Sequence, residues 1–177
     1  MCRSACLLAT VFFVAGGAPA WGQDKSPESS KKLPDGVYAV LRESLKEKDV
    51  LPLKGGEVLV VNRHKYAKKG DQEPPRYLVV RSAADVQLAL AAAPKADKEG
   101  EEVVRILLKL RPKAATALER LTTERVGKPL AIVIGGEVVT THTIRQAIQG
   151  GEVQITCCGE GAANYLLERL QAYPEKK

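Results

Sequence analysis

"LAIVIGGEVVTTHTIRQAIQGGEVQIT", residues 130–156, packs β-branched side chains around two glycine pairs and offers almost none of the groups that catalysis recruits. "LAIVI" and "EVVT" flank Gly135-Gly136, a two-residue connection able to take the positive φ values of a tight hairpin. "HTIRQAI" (142–148) stays open between a strand and a short helical turn, Gly150-Gly151 breaks it, and "EVQITC" (152–157) alternates as a further strand. The stretch therefore reads as hairpin, break, strand.

Upstream, Pro112 suits a first helical position, and "KAATALERLTTERV" (113–126) carries Ala114, Leu118, Leu121 and Arg125 at helical spacing before Gly127 stops it. "VVRILLKL" (103–110) is a strand ahead of that helix. "EVLVV" (57–61) and "YLVVR" (77–81) are strands around the polar loop 62–76 and are expected to pair, with "VYAVLRESL" and "DVQLALA" as further strand candidates. "APKADKEGEE" (93–102) reads as a charged loop. Downstream, Ala162, Tyr165, Leu166, Arg169 and Leu170 line one side of a last helix that Pro174 ends. The order strand, helix, hairpin, strand, helix gives an α+β fold: a small antiparallel or mixed sheet with two main helices.

The 177 residues fit one domain with flexible ends; 45% are hydrophobic but only 5% aromatic, so the core must be built from Val, Leu, Ile and Ala. Residues 1–22 read as a signal peptide, with Arg3 before an apolar run from Leu7 to Val14 and a small-residue cleavage pattern at Ala20-Trp21-Gly22. A retained anchor is the rival, but Gly16-Gly17 interrupts a run already short of a bilayer span. Residues 23–36 form a polar leader, 37–173 the domain and 174–177 a tail. The reading is an exported chain, periplasmic or extracellular.

The net charge of +6 is scattered, and its densest groups, "KYAKK" (65–69) and the terminal "EKK", lack interleaved aromatics, which argues against nucleic acid. Weak contact with an anionic membrane surface is compatible with it. Cleavage removes Cys2 and Cys6 and leaves adjacent Cys157 and Cys158, which form no disulfide framework and read as reduced, buried thiols.

Chemistry-bearing groups are sparse. His64 and His142 are the two histidines, and neither stands in a catalytic or metal-binding spacing. Zinc by His64, His142, Cys157 and Cys158 has suitable ligand types, but adjacent strand cysteines face opposite ways. Gly135-Gly136 and Gly150-Gly151 lack the lysine of phosphate loops, and Glu119, Glu124, Glu137 and Glu152 read as solvated positions. No catalytic residue, cofactor or metal is expected.

Extended to "LTTERVGKPLAIVIGGEVVTTHTIRQAIQGGEVQIT" (121–156), the sequence resembles the P1 head subdomain of SecD, the exported-side part of the SecDF protein-translocation accessory complex. The family pattern runs roughly T-x-x-x-x-G-K-x-L-A-I-V-L-D-G-K-V-x-S-A-P-x-I-x-x-x-I-x-G-G-x-x-Q-I-T-G. Thr122 or Thr123, Gly127, Lys128, Leu130, Ala131, Ile132, Val133, Gly136, Val138, Ile144, Ile148, Gly150, Gly151, Gln154, Ile155 and Thr156 match it without gaps. Departures are Gly135 for Asp, Glu137 for Lys, His142 for Pro, and Cys157-Cys158 where Gly and a polar residue are usual. The motif residues are expected to be structural.

The resemblance is firm over 103–156 and implies the head alone, a non-catalytic module that in the family contacts emerging polypeptide. It does not carry over the family's membrane helices and proton coupling, for which this sequence offers no segment. The expected partners are exported polypeptides or Sec translocon components. Two alternatives stay open: an envelope-associated structural or binding domain reusing the fold, and a thiol or soft-metal activity of Cys157-Cys158 near a helix N-terminus.

Overall fold

A computed structural model describes residues 32–66, 73–99 and 103–171. The signal peptide, most of the leader, the tail with Pro174, and the middle of the 62–76 loop lie outside the described residues. Ten strands and two α-helices follow in order: β1 (Gly36–Ala39), β2 (Arg42–Ser44), a 3-10 turn (Glu47–Val50), β3 (Glu57–Asn62), β4 (Arg76–Arg81), β5 (Val86–Gln87), β6 (Lys95–Glu99), β7 (Val103–Lys109), α1 (Pro112–Glu124), β8 (Pro129–Ile134), β9 (Glu137–Thr143), β10 (Glu152–Cys158) and α2 (Glu160–Gln171). The α+β class read from the sequence is the one observed.

Every pairing is antiparallel, in three sheets ordered β5-β1-β8-β9, β10-β7-β6 and β2-β4-β3. The first sheet lies between two apolar clusters. Val37, Ala39, Leu130, Ile132 and Ile134 face a large core with Leu118 of α1, Leu166 and Leu170 of α2, and Ile106 and Ile155 of the second sheet. Tyr38, Val40, Ala131 and Val133 face a smaller core with Leu78 and Val80 of the third sheet. Burial on both faces explains the uninterrupted "LAIVI" run, since neither face asks for polar residues.

A register shift between Ile132 and Val133 leaves Val139 as an extra residue in β9, because Ile132 pairs with Thr140 and Val133 with Val138. The bulge lets consecutive valines serve opposite cores: Val138 joins the smaller and Val139 the larger. Gly135 and Gly136 make the hairpin turn with φ of 65° and 80°, values that suit a primed two-residue turn.

Three local expectations are corrected. The "charged loop" 93–102 contains β6, paired with β7 from Lys95↔Leu107 to Glu99↔Val103. Its ladder hydrogen bonds outweigh the poor strand propensity of Lys and Asp. "DVQLALA" gives two strand residues and an isolated bridge, Leu90↔Leu110, since the chain there turns to meet α1. The leader is already folded at its end, for Leu33 is buried in the smaller core and Asp35 accepts a bond from Gly136 N at 3.2 Å.

The open segment "HTIRQAI" resolves into neither alternative beyond Thr143. Residues 144–151 are irregular and held by individual bonds: Gly127 N to Ile144 O at 2.8 Å, Ile144 N to Lys128 O at 3.0 Å, and Ile148 N to Thr122 Oγ1 at 2.9 Å. Thr122 is fully buried and also donates to Leu118 O, whereas Thr123 lies on the exposed side of α1. Gly151, at φ 68°, passes so close to α1 that an added Cβ would sit 2.4 Å from Ala115 Cβ.

Candidate functional site

The described residues enclose a polar cleft of about 390 Å³ where sheet edges converge. β9 is an edge of the first sheet and β3 an edge of the third; they flank the cleft, and Thr156 of β10 also lines it. Thr140, Thr141, His142 and Thr143 of β9 form one wall. His64, Tyr66, Glu73 and Arg76 stand on the other, with Glu43 of β2.

Asn62, at the end of β3, sets this geometry. It is 2% exposed, donates through Nδ2 to Thr141 Oγ1 at 3.3 Å, and accepts from His64 N through Oδ1 at 3.0 Å. The second bond is a side-chain turn that holds His64 at φ 49°, a left-handed conformation uncommon for a residue with a side chain. His64 therefore turns into the cleft. Its Nε2 is buried without a hydrogen-bond partner among the described residues, and lies 3.9 Å from Glu73 Oε2.

Across the cleft, His142 Nε2 is 3.0 Å from Thr140 Oγ1, and partial burial lowers the imidazole pKa from its ordinary 6.5. Arg76 lies between Glu73 at 3.3 Å and Glu43 at 3.9 Å. Near the α2 side, Tyr66 donates to Glu137 Oε2 at 3.2 Å and stacks on Tyr165 with ring centroids 6.3 Å apart. Burial, then the Glu137 charge, pushes the Tyr66 hydroxyl well above its usual range, so it remains a donor. Glu137, expected as solvated, also pairs with Lys65 at 3.2 Å.

The cleft thus joins both histidines, 78 positions apart by their numbering, which sequence spacing gave no means to unite. Cys157 does not join them; it is fully buried in the larger core, on the inner face of β10. Among the described residues no three or more His, Cys, Asp or Glu side chains are placed to hold a metal ion. Of the other carboxylates, Glu124 pairs with Arg120 along α1, and exposed Glu152 is held below its usual pKa by its bond to Lys109.

The motif residues divide into two sets. Leu130, Ala131, Ile132, Ile144, Gly151 and Ile155 are buried, and Gly127, Gly136 and Gly150 sit at positive φ in turns. Gln154 and Thr156 alternate outward on β10 and are exposed. The sequence reading takes all of these as structural; the strand alternation of β10 sets Gln154 and Thr156 on the outward face.

The fold defines a small α+β module with three antiparallel sheets, two helices and a polar inter-sheet cleft, and no described helix is long and apolar enough to cross a membrane. The family model for the SecDF P1 head subdomain matches residues 63–172, more than half of the sequence, and the chain belongs to that family. The chain is similar to protein translocase subunit SecDF of Thermus thermophilus, with 43% identity over 51 residues, 29% of this chain and 7% of that protein. It is also similar to the crystal structure of SecDF in a super-membrane-facing form (23% identity, TM-score 0.43, 78% of this chain and 18% of that one). A structure of SecDF described as a membrane component that enhances protein export gives 24% identity and a TM-score of 0.44, over 77% of this chain and 62% of that one. The chain spans less than a tenth of the curated relative's length.

Proposed function

We propose that this chain is an exported, non-catalytic head module that binds protein or peptide outside the cytoplasm in connection with protein export. The observation that carries the reading is the family match across 63–172, which contains the cleft's β9 wall, both helices and the exposed Gln154 and Thr156. The cleft chemistry supports it. Threonine hydroxyls, and the His142 imidazole whose pKa burial lowers, both donate and accept hydrogen bonds, which suits a changing polypeptide better than one fixed substrate.

A photo-crosslinking amino acid at Thr140 or His142, read by mass spectrometry in cells, tests this. Recovery of many exported polypeptides or Sec components is the expected outcome; a single discrete envelope protein would sink the export role. The residues of the signal peptide reading are tested separately by sequencing the mature N-terminus, expected at Gln23.

A second reading, an envelope-associated domain meeting an anionic surface, has one observation in its favour. Leu45, Leu51 and Leu53 are 53%, 45% and 39% exposed on the β2–β3 connection, beside Lys46, Lys48 and Lys54. Binding to anionic vesicles that weakens steeply with salt, with no polypeptide crosslinks, would favour it.

A further inference from the structure

The backbone of β9 fixes which way its amides point. Ile144 N donates to Lys128 O at 3.0 Å, toward β8, and the register continues as Thr143↔Pro129, His142↔Leu130, Thr141↔Ala131 and Thr140↔Ile132. In an antiparallel ladder the bonds alternate, so the amides of Thr140 and His142 face β8 while those of Thr141 and Thr143 face away from it. Proline at the position opposite Thr143 agrees, since Pro129 has no N–H to give. Among the described residues no backbone group bonds β9 from its outer side.

The same alternation applies on the facing wall. Ser82 N donates to Gly56 O at 2.9 Å, so the register of β3 on β4 turns Asn62 toward β4 and Val61 away from it. Two sheet edges therefore present outward main-chain groups beside one cleft. Asn62 and Thr141 bridge them by side chains alone. Of the other edges, β5 and β2 are two and three residues long and β6 carries Lys95 and Lys98; β10, seven residues long, is the remaining edge, and its Thr156 lines the same cleft.

We infer that the cleft is a strand-addition slot: an extended segment of a non-native polypeptide pairs its main chain with the outer edge of β9 at Thr141 and Thr143. The unpaired amides and carbonyls supply sequence-independent affinity, and the flanking Thr140, His142 and His64 side chains adapt to whatever residues the segment carries. Arg76 offsets one of the two carboxylates beside it, Glu43 and Glu73, so that end of the slot keeps an excess negative charge and favours neutral or basic segments over acidic ones. This inference rests on the polypeptide-binding reading above and assigns its place and mode.

The test uses the full chain and a permanently unfolded probe, reduced and alkylated α-lactalbumin, with residue-resolved amide exchange. Addition of the probe is expected to slow exchange at Thr141 and Thr143 while Thr140 and His142, already bonded to β8, change little. Thr143→Pro deletes one outward N–H and spares the β8 ladder, and weakens probe binding about tenfold; Thr143→Val keeps the amide and gives up only the hydroxyl, so its loss is clearly the smaller of the two, while Thr123→Val on the exposed side of α1 binds within about twofold of the unaltered chain. Should Thr143→Pro fail to fold, the exchange pattern of the unaltered chain decides. Probe binding that protects other residues and tolerates Thr143→Pro overturns the slot and leaves the polypeptide-binding role standing. Absence of any probe binding overturns both.

Discussion

β8 and β9 are the two arms of one hairpin, yet they belong to different worlds. β8 is paired on both sides, by β1 and β9, and buried on both faces, with residues 130–134 all buried. β9 shares that burial at Val138 and Val139, then leaves it, ending in Thr140–Thr143 on the wall of a polar cleft. The transition happens at the bulge. One extra residue in the ladder is enough to convert a strand that fills a core into a strand that faces solvent with unpaired edge groups.

The sharpest way to break this contrast is to cut into β8. Ile134 is 1% exposed in the larger core, so Ile134→Ala is expected to cost about 2–5 kcal/mol in urea unfolding. A loss below about 1 kcal/mol would mean that the core closes over the gap and that β8 is not packed as described. Next comes the segment beyond β9. Gly151→Ala forces a Cβ against Ala115 at a positive φ, and about 1–3 kcal/mol is expected, read as a lower urea midpoint at unchanged slope.

Thr122→Val removes a fully buried hydroxyl and orphans Ile148 N, with an expected loss of about 1–2 kcal/mol; Thr123→Val, on the exposed side, serves as the neutral comparison. Smaller again is the pH effect of the cleft. Because partial burial lowers the His142 pKa, the unfolded imidazole takes its proton first, and stability from this group is present above pH 6.5 and declines as pH falls toward the folded value. His142→Gln is expected to flatten a shallow slope below pH 6.5 in thermal melts; an unchanged slope assigns it to other groups. At the end of β9, Thr143→Val is expected to change stability by less than about 0.5 kcal/mol, since the side chain is exposed and the ladder is kept.

What could be read without coordinates follows the same division. The "LAIVI" run, Gly135-Gly136, the Pro112 start of α1 and the β3–β4 pairing were legible because each depends on a few neighbouring residues. β6 was not: "KADKE" has the composition of a loop, and only its partner Val103–Lys109 makes it a strand. The match to the head subdomain could be drawn from the motif, and the alternation of "EVQITC" already set Ile155 apart from Gln154 and Thr156; that the first face is buried in the larger core needed the packing of β7 and α2 against β10. The cleft was beyond reach for a similar reason. His64 and His142 meet only because Asn62 ties one sheet edge to another, and no spacing along the chain encodes that bond.

Having apolar clusters on both faces of β1 and β8 ties together two halves that would otherwise fold separately. Val37, Ala39, Ile132 and Ile134 cannot leave the larger core without taking Tyr38, Val40, Ala131 and Val133 out of the smaller one. The third sheet, which packs against the short 3-10 turn Glu47–Val50 rather than against either α-helix in its principal contacts, thereby borrows the cooperativity of the helical side. Partial opening is therefore expected at the periphery, with the central amides of β1 and β8 exchanging only when the whole domain comes apart.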